Sequence, residues 1–413
     1  MKATILSIGD ELLIGQTLNT NAHWMSQQLT AIGVDVLRHV SVSDKRAEIV
    51  GALDTAMADT QVILITGGLG PTSDDITKDV LCEYFGGALV FNEAAYENIR
   101  QIFNRRNREI SEATRQVAFL PDNCLPIQNA FGTAAGMLFR RDDRVVVSMP
   151  GVPYEMKAMV ENGVIPYLQS EFTLPLILHH HFYTAGVGET QLAELLTDFE
   201  KNKPADMGLA YLPSVGKVRL RLTLKGQDKA DLQSRMQAAR ETVYAAVKAH
   251  VYAEEDIPLE QVVGRLLAER GKTLGTAESC TGGYIAHLIT SVAGSSDYFK
   301  GSVIAYSNEI KQQVLGVQAA TLEAHGAVSE QTVREMLSGA LKVLDTDVAI
   351  AVSGVAGPGG GSEEKPVGTV YIGVADAEKS VVLRHGFTNN RERNIQLSGV
   401  LALVMLKNFL QDR

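Results

Sequence analysis

Two polar runs in this sequence hold residue types that can do chemistry. In Thr276-Ala-Glu-Ser-Cys-Thr-Gly-Gly283, hydroxyl and thiol nucleophiles crowd the junction between a buried strand and an amphipathic helix. Lys272 to Gly275 reads as the end of that strand, and Tyr284, Ile285, Leu288, Ile289 and Val292 then repeat with helical spacing, so Ser279 stands just before a helix N-terminus. At such a place unpaired N–H groups and the helix dipole favour a phosphate or a developing oxyanion. Thr281, Gly282 and Gly283 follow as candidate substrate contacts. Capping of the helix is the commoner use of a serine or threonine in this position.

The second run is Gly67-Gly-Leu-Gly-Pro-Thr-Ser-Asp-Asp-Ile-Thr77. Gly67, Gly68 and Gly70 let a backbone approach a phosphate, with Thr72 beside them as a further candidate contact. Asp74 and Asp75 offer hard oxygen ligands suited to Mg²⁺ or Mn²⁺. Helix capping by Asp74 and dipole compensation by Asp75 are the competing structural uses. Glu11, in Gly9-Asp-Glu-Leu-Leu13, comes from another strand end and points toward the same crevice, where an acid has less structural reason to be. The loop Ser148 to Lys157 follows the apolar strand Val145 to Val147, opens a helix and can complete this pocket.

Alternating strands and helices must position these runs. Ala3 to Ile8, Val34 to Val42 and Val62 to Thr66 read as strands, with helices at Asn21 to Ile32 and Ala47 to Met57; the pattern predicts α/β structure on a parallel sheet. Pro166 to Pro175 marks a boundary. A small α+β unit follows, with strands at His180 to Thr184, Met207 to Leu212 and Lys217 to Leu224, and helices at Glu189 to Phe199 and Lys229 to His250. The run His179-His-His181 invites a metal reading, but successive strand residues face opposite sides. A third unit, α/β again, has helices at Leu259 to Arg270, Ile310 to Leu315, Val333 to Leu344 and Arg393 to Leu410. Its strands are Ser302 to Tyr306, Asp347 to Val352, Thr369 to Val374 and Ser380 to Gly386, and the glycine-rich Ser353-Gly-Val-Ala-Gly-Pro-Gly-Gly-Gly361 follows the second of them.

A chain of 413 residues needs more than one core, and 45% hydrophobic with 21% charged residues is an ordinary globular balance. Cys82, Cys124 and Cys280 are too few and too scattered for a disulfide framework, which fits a reducing cytoplasm. No stretch reaches membrane-spanning length. A net charge of −10 gives no global attraction to nucleic acid or to an anionic membrane.

Six runs together, Gly9-Asp-Glu-Leu, Gly67 to Thr77, Met149-Pro-Gly-Val-Pro, Ala277 to Gly283, Ala305-Tyr-Ser-Asn-Glu-Ile-Lys311 and Ser353-Gly-Val-Ala-Gly-Pro, resemble the competence-damage-inducible protein A family over essentially the whole chain. The resemblance implies an α/β multidomain protein. A molybdopterin-binding-like α/β domain occupies residues 1–170, a KH-like α+β domain 175–252, and a nicotinamide mononucleotide (NMN) deamidase α/β domain 257–413. It implies hydrolysis of the NMN amide to nicotinic acid mononucleotide and ammonia, with Ser279 as nucleophile, Lys311 as its base and Tyr306 as a hydrogen-bonding partner. Ser353, Gly354 and Gly357 would bind the nucleotide, Arg393 its phosphate, and no cofactor is required.

For the first domain the resemblance implies hydrolysis of ADP-ribose to AMP and ribose 5-phosphate. Glu11 and Asp75, with Asp74 as a third member, would hold Mg²⁺, Mn²⁺ or Co²⁺, and potassium assists in some members. The run Gly132-Thr-Ala-Ala135-Gly departs from the Gly-Thr-Ala-Pro-Gly common in the family. A homodimer is implied. Cys280 rivals Ser279, since a thiol beside a helix N-terminus can become a thiolate. The alternative class is a pterin- or nucleotide-binding or interaction protein in DNA uptake or repair with an inactive first domain. Gly186-Val-Gly-Glu189 lacks the Gly-x-x-Gly clamp of nucleic-acid KH domains, so nucleic acid is not an expected partner.

Overall fold

The computed structural model describes residues 1–72, 75–105 and 108–411. The chain divides into two compact units, residues 1–177 with 225–232, and 178–224 with 233–413. Among the described residues no helix is long and apolar enough to cross a membrane.

The first unit is built on a six-stranded sheet, in the order Asp35–Val42, Lys2–Ile8, Val62–Thr66, Arg144–Met149, Gly136–Arg141 and Leu125–Ile127. The first four strands are parallel and the last two antiparallel, the latter lying in a stretch where the sequence pattern showed no strand. Alternate residues of the parallel strands feed two cores. Leu6, Ile63, Ile65 and Val146 meet Ile49, Leu53 and Val80 on one face, while Ile5, Val62, Leu64 and Val147 meet Met25, Leu29 and Met156 on the other. Val62–Thr66 is buried throughout, as a continuous apolar run predicts, and each full burial of a Val, Leu or Ile side chain contributes about 1.5–3 kcal/mol.

The register aligns the carboxyl ends of these strands, pairing Ile8 with Val42, Ser7 with Thr66, and Thr66 with Met149. The loops after Ile8, Val42, Thr66 and Met149 therefore gather along one sheet edge. Within Gly9-Asp-Glu-Leu-Leu13 the chain forms a single helical turn, Asp10–Leu13, which carries both its acids at its start.

In the second unit, one sheet has the order Met207–Ser214, Lys217–Gly226, Leu176–Ala185 and Val251–Ala253. Helices Glu189–Leu195, Thr197–Asn202 and Lys229–Val247 accompany it. The other sheet has the order Phe299–Ile304, Leu274–Glu278, Val348–Gly354, Thr369–Ala375 and Ser380–Gly386, its first three strands parallel and its last two an antiparallel pair, as predicted. On one face Ile350 and Val352 pack with helices Leu259–Glu269, Tyr284–Thr290 and Arg391–Gln411. On the other, the small side chains of Ala277, Ala349 and Ala351 bring helix Glu330–Leu344 close. Glu278 and Ser279, adjacent at a strand end, start toward opposite faces.

Candidate active site

Strand Leu274–Glu278 ends beside Val348–Gly354, and the Ser279 N–H donates to the Val352 carbonyl at 2.9 Å, which extends the sheet by one residue. On its own face the serine meets Lys311, from the short helix Asn308–Gln313. Lys311 Nζ lies 3.0 Å from Ser279 Oγ, 2.7 Å from the Ala305 carbonyl and 3.3 Å from the Tyr306 carbonyl. Only 1% of the lysine and 8% of the serine are exposed. Burial pulls the Lys311 ammonium below its ordinary pKa, against opposing attraction from Cys280 and Glu309. A neutral amine has two hydrogens and one lone pair. Two carbonyls take the hydrogens, which turns the lone pair toward the serine hydroxyl, as a general base requires.

Glu278 corrects the expectation that this helix start is open to an anion. Its fully buried carboxylate accepts from the Gly283 N–H at 3.1 Å, the Ile285 N–H at 3.1 Å and the Ala286 N–H at 2.8 Å. The donors at the start of helix Tyr284–Thr290 and its positive pole are thus satisfied by the protein. Neither Ser279 nor Thr281 caps the helix. The tight connection between serine and helix uses Gly282 at φ 60° and Gly283 at φ 98°, where a side chain would be strained. Glu278→Gln places an amide where three N–H groups converge. The expected loss is about 1.5–3 kcal/mol of unfolding free energy, read by denaturant titration.

Thr281 Oγ1 is buried with no hydrogen-bond partner among the described residues. A hydroxyl left open beside a reactive serine suits a bound ligand. Cys280 joins the apolar core, and burial pushes its thiol up to about 12, so it is not a thiolate at neutral pH. Cys280→Ala should therefore leave turnover within about threefold of the unaltered chain, as assayed with the Ser279 centre intact.

Tyr306 and Lys311 do not both turn their side chains to Ser279. Tyr306 reaches Lys311 through its backbone carbonyl; the residue is 60% exposed, and its hydroxyl accepts from Arg391 at 3.0 Å. Arg391 also donates to the Gly357 carbonyl at 2.9 Å. Both acceptors are neutral oxygens, which leaves the guanidinium charge to attract a phosphate. Arg393, two residues on, is exposed, and its backbone N–H donates to Asn390 Oδ1. The helix begins at Arg391, two residues before the expected start at Arg393, and Arg391 is the arginine that meets the loop at Gly357. Ser353 is buried, with its hydroxyl donating to the Ala327 carbonyl at 2.6 Å, and Gly354 is paired with Val370 inside the sheet.

In the first unit, a cleft of about 440 Å³ opens at the aligned strand ends. Glu11, Asp44, Asp75 and Glu155 line it, as do Gly67, Gly68 and Gly70. Thr72 is not among its walls; the Thr72 N–H donates to Asp75 Oδ2 at 3.0 Å, and its hydroxyl reaches the same oxygen. Asp74 lies outside the described residues. Among the described residues no three His, Cys, Asp or Glu side chains cluster to hold a metal ion. Glu11 and Asp75 still fit a hard dication that takes one or two carboxylates and completes its shell with water and substrate phosphate.

Glu155 went unnoticed in sequence. Buried Asn129 donates to Glu155 Oε2 at 2.7 Å and to the Ala134 carbonyl at 2.9 Å, and its Oδ1 accepts from the Phe131 and Gly132 N–H groups. A Cβ on Gly132 would overlap the Glu155 carboxylate, so the close approach requires glycine. The turn in which alanine replaces the family's proline is thus held by Asn129. The histidine run behaves as its alternation predicts. His179 bonds Thr223 at 2.9 Å, whereas His180 points the other way to Glu254 at 2.7 Å.

Comparison with known proteins assigns family models to three stretches. A probable molybdopterin binding domain matches residues 4–170, the damage-inducible protein CinA KH domain matches 179–253, and the CinA C-terminal domain matches 256–410. A CinA-like protein of Cytophaga hutchinsonii is 44% identical over 410 residues, covering 99% of this chain and 98% of the relative. One from Salinibacter ruber is 42% identical over 409 residues, covering 98% of each. A solved structure of a competence-damaged protein (CinA) superfamily protein from Klebsiella pneumoniae is 38% identical, with a TM-score of 0.37, and covers 38% of this chain and 97% of that one.

Proposed function

The chain belongs to the CinA-like protein family, and on that premise we propose that its Ser279 centre hydrolyses the carboxamide of NMN to nicotinic acid mononucleotide and ammonia. The observation that supports this most is the buried Ser279–Lys311 pair at 3.0 Å. An amide carbonyl is a poor electrophile, so the serine must lose its proton as it attacks. Lys311 Nζ takes that proton while Ser279 Oγ bonds to the carboxamide carbon. As the tetrahedral intermediate collapses, the C–N bond breaks and Lys311 returns the proton to the leaving nitrogen, releasing ammonia. The remaining ester is opened by water, whose proton passes through Lys311 to Ser279 Oγ as the acid is released. Arg391 is the proposed phosphate partner, and Thr281 offers its open hydroxyl to the substrate. The test incubates the full chain with NMN and follows both products; equal amounts of ammonia and nicotinic acid mononucleotide are expected, and no turnover by folded protein would refute the reading.

For the first unit we propose hydrolysis of ADP-ribose to AMP and ribose 5-phosphate. Glu11 and Asp75 would hold a divalent ion, with Asp74 as a third ligand. Such an ion, when bound, neutralises diphosphate charge and supplies an activated water. The glycines at 67, 68 and 70 would admit the phosphates to the backbone, and Thr72 would hold the Asp75 carboxylate in place. A second reading is a nucleotide- or pterin-binding module without hydrolysis. AMP release that requires Mg²⁺, Mn²⁺ or Co²⁺ and drops at least about 100-fold in Asp75→Asn supports the first reading. ADP-ribose that stays bound and intact with those metals supports the second.

A further inference from the structure

The first turn of helix Arg391–Gln411 is exposed except at Asn394, of which only 1% is accessible. Its Nδ2 donates to the Ala356 carbonyl at 3.0 Å and to the Thr388 carbonyl at 2.8 Å, while its Oδ1 accepts from the Thr388 N–H at 3.2 Å and from the Thr388 hydroxyl at 3.3 Å. A primary amide has two hydrogens to give and two lone pairs to offer, and all four are used. Buried and fully engaged, Asn394 does not touch a ligand; it holds the chain around it.

What it holds is two loops of the same unit. Ala356 lies in the glycine-rich run after strand Val348–Gly354, and Thr388 in the turn between strand Ser380–Gly386 and the helix. The carbonyl next to that of Ala356 belongs to Gly357 and accepts from Arg391 at 2.9 Å. Asn394 and Arg391, neighbours on one helix surface, thus grip consecutive carbonyls of one loop, the amide from the buried side and the guanidinium from the exposed side. The turn leading into the helix is tied to the same clamp: the Asn390 N–H donates to Thr388 Oγ1 at 3.2 Å, and the Arg393 N–H to Asn390 Oδ1 at 2.9 Å. An arginine on a long stem keeps one direction only where its acceptors are fixed, and a guanidinium ordered before the ligand arrives loses less entropy on binding.

We propose that Asn394 is a positioning residue that pre-orders Arg391 for the substrate phosphate, and so sets the preference of the Ser279 centre for a phosphorylated nucleoside over the same nucleoside without phosphate. The proposal rests on reading that centre as an NMN amidase with Arg391 as its phosphate partner.

The test compares kcat and KM of the full chain for NMN with the inhibition constant of nicotinamide riboside, which has the same carboxamide and no phosphate. Asn394→Asp keeps the volume and the acceptors and sets an anionic oxygen against two carbonyls; it should raise KM for NMN about tenfold or more, with kcat and the riboside constant within about threefold of the unaltered chain. Thr388→Val, a milder change in the same clamp, should shift KM in the same direction and by less. Arg391→Ala added to Asn394→Asp should cost much less than the two single losses combined, because both act through one contact. Equal losses for NMN and the riboside, a loss carried by kcat, additive losses in the double variant, or Thr388→Val and Asn394→Asp chains that are folded and unchanged in KM would each overturn the proposal. If the unaltered chain binds NMN without hydrolysing it, the amidase reading fails, and the same comparison made on the two dissociation constants decides the role of Asn394.

Discussion

Ser279→Ala should lower kcat for NMN hydrolysis by about 10⁴–10⁶-fold, because the alanine chain has no oxygen to form the ester and must rely on binding alone. The fold should survive. Ser279 contributes its N–H to the Val352 carbonyl, which alanine retains, and its hydroxyl meets only Lys311 among the contacts that define the site. Circular dichroism and NMN binding should therefore be close to those of the unaltered chain while ammonia release disappears. A variant that retains more than about a hundredth of the rate would require another nucleophile, and Cys280, with its thiol pushed up to about 12 in an apolar core, is badly placed to be one.

Lys311→Met should cost about 10²–10⁴-fold in kcat, the usual worth of a positioned base, and should also change the pH profile. The sign follows from the proton count. Only neutral lysine can accept the serine proton, so kcat/KM rises with pH through the Lys311 pKa. Burial has lowered that pKa from 10.5, so the rise is expected below pH 10.5 and the rate falls as pH drops through it. In Lys311→Met this limb should vanish from whatever activity remains. A limb that persisted unchanged would assign the titration to another group. The methionine fills similar volume in a site where only 1% of the lysine is exposed, which limits the cavity it leaves.

Strand and helix order was legible wherever one residue pattern dominated. Val62–Thr66 is apolar at nearly every position and is buried on both faces, and Thr369–Ala375 with Ser380–Gly386 forms the expected antiparallel pair. Strand Gly136–Arg141 escaped because its glycine and two arginines interrupt the apolar signal, although Met137, Leu138 and Phe139 are buried. The serine was legible as a polar nucleophile between a strand and a helix, while Lys311, Tyr306 and the nucleotide loop depended on family resemblance. Local sequence cannot bring residues 32 positions apart to 3.0 Å.

Other features depend on three-dimensional paths that no short pattern encodes. Glu278 sits beside the serine in the same run, yet its work lies on the opposite face, where it closes the helix start that had seemed open to substrate. Arg391 and Arg393 share composition and helical context, but only Arg391 meets both Tyr306 and Gly357. Glu155 reaches its cleft through Asn129 and the glycine at position 132, a contact made across 26 residues.

The most direct test of the central claim is to quench the full chain in acid during NMN turnover and locate any ester by peptide mass spectrometry. A nicotinoyl-nucleotide adduct is expected on the peptide containing Ser279, mapped to that serine by fragmentation and absent from Ser279→Ala. Rapid formation of nicotinic acid mononucleotide with the adduct on Cys280, or undiminished turnover by Ser279→Ala, would contradict it.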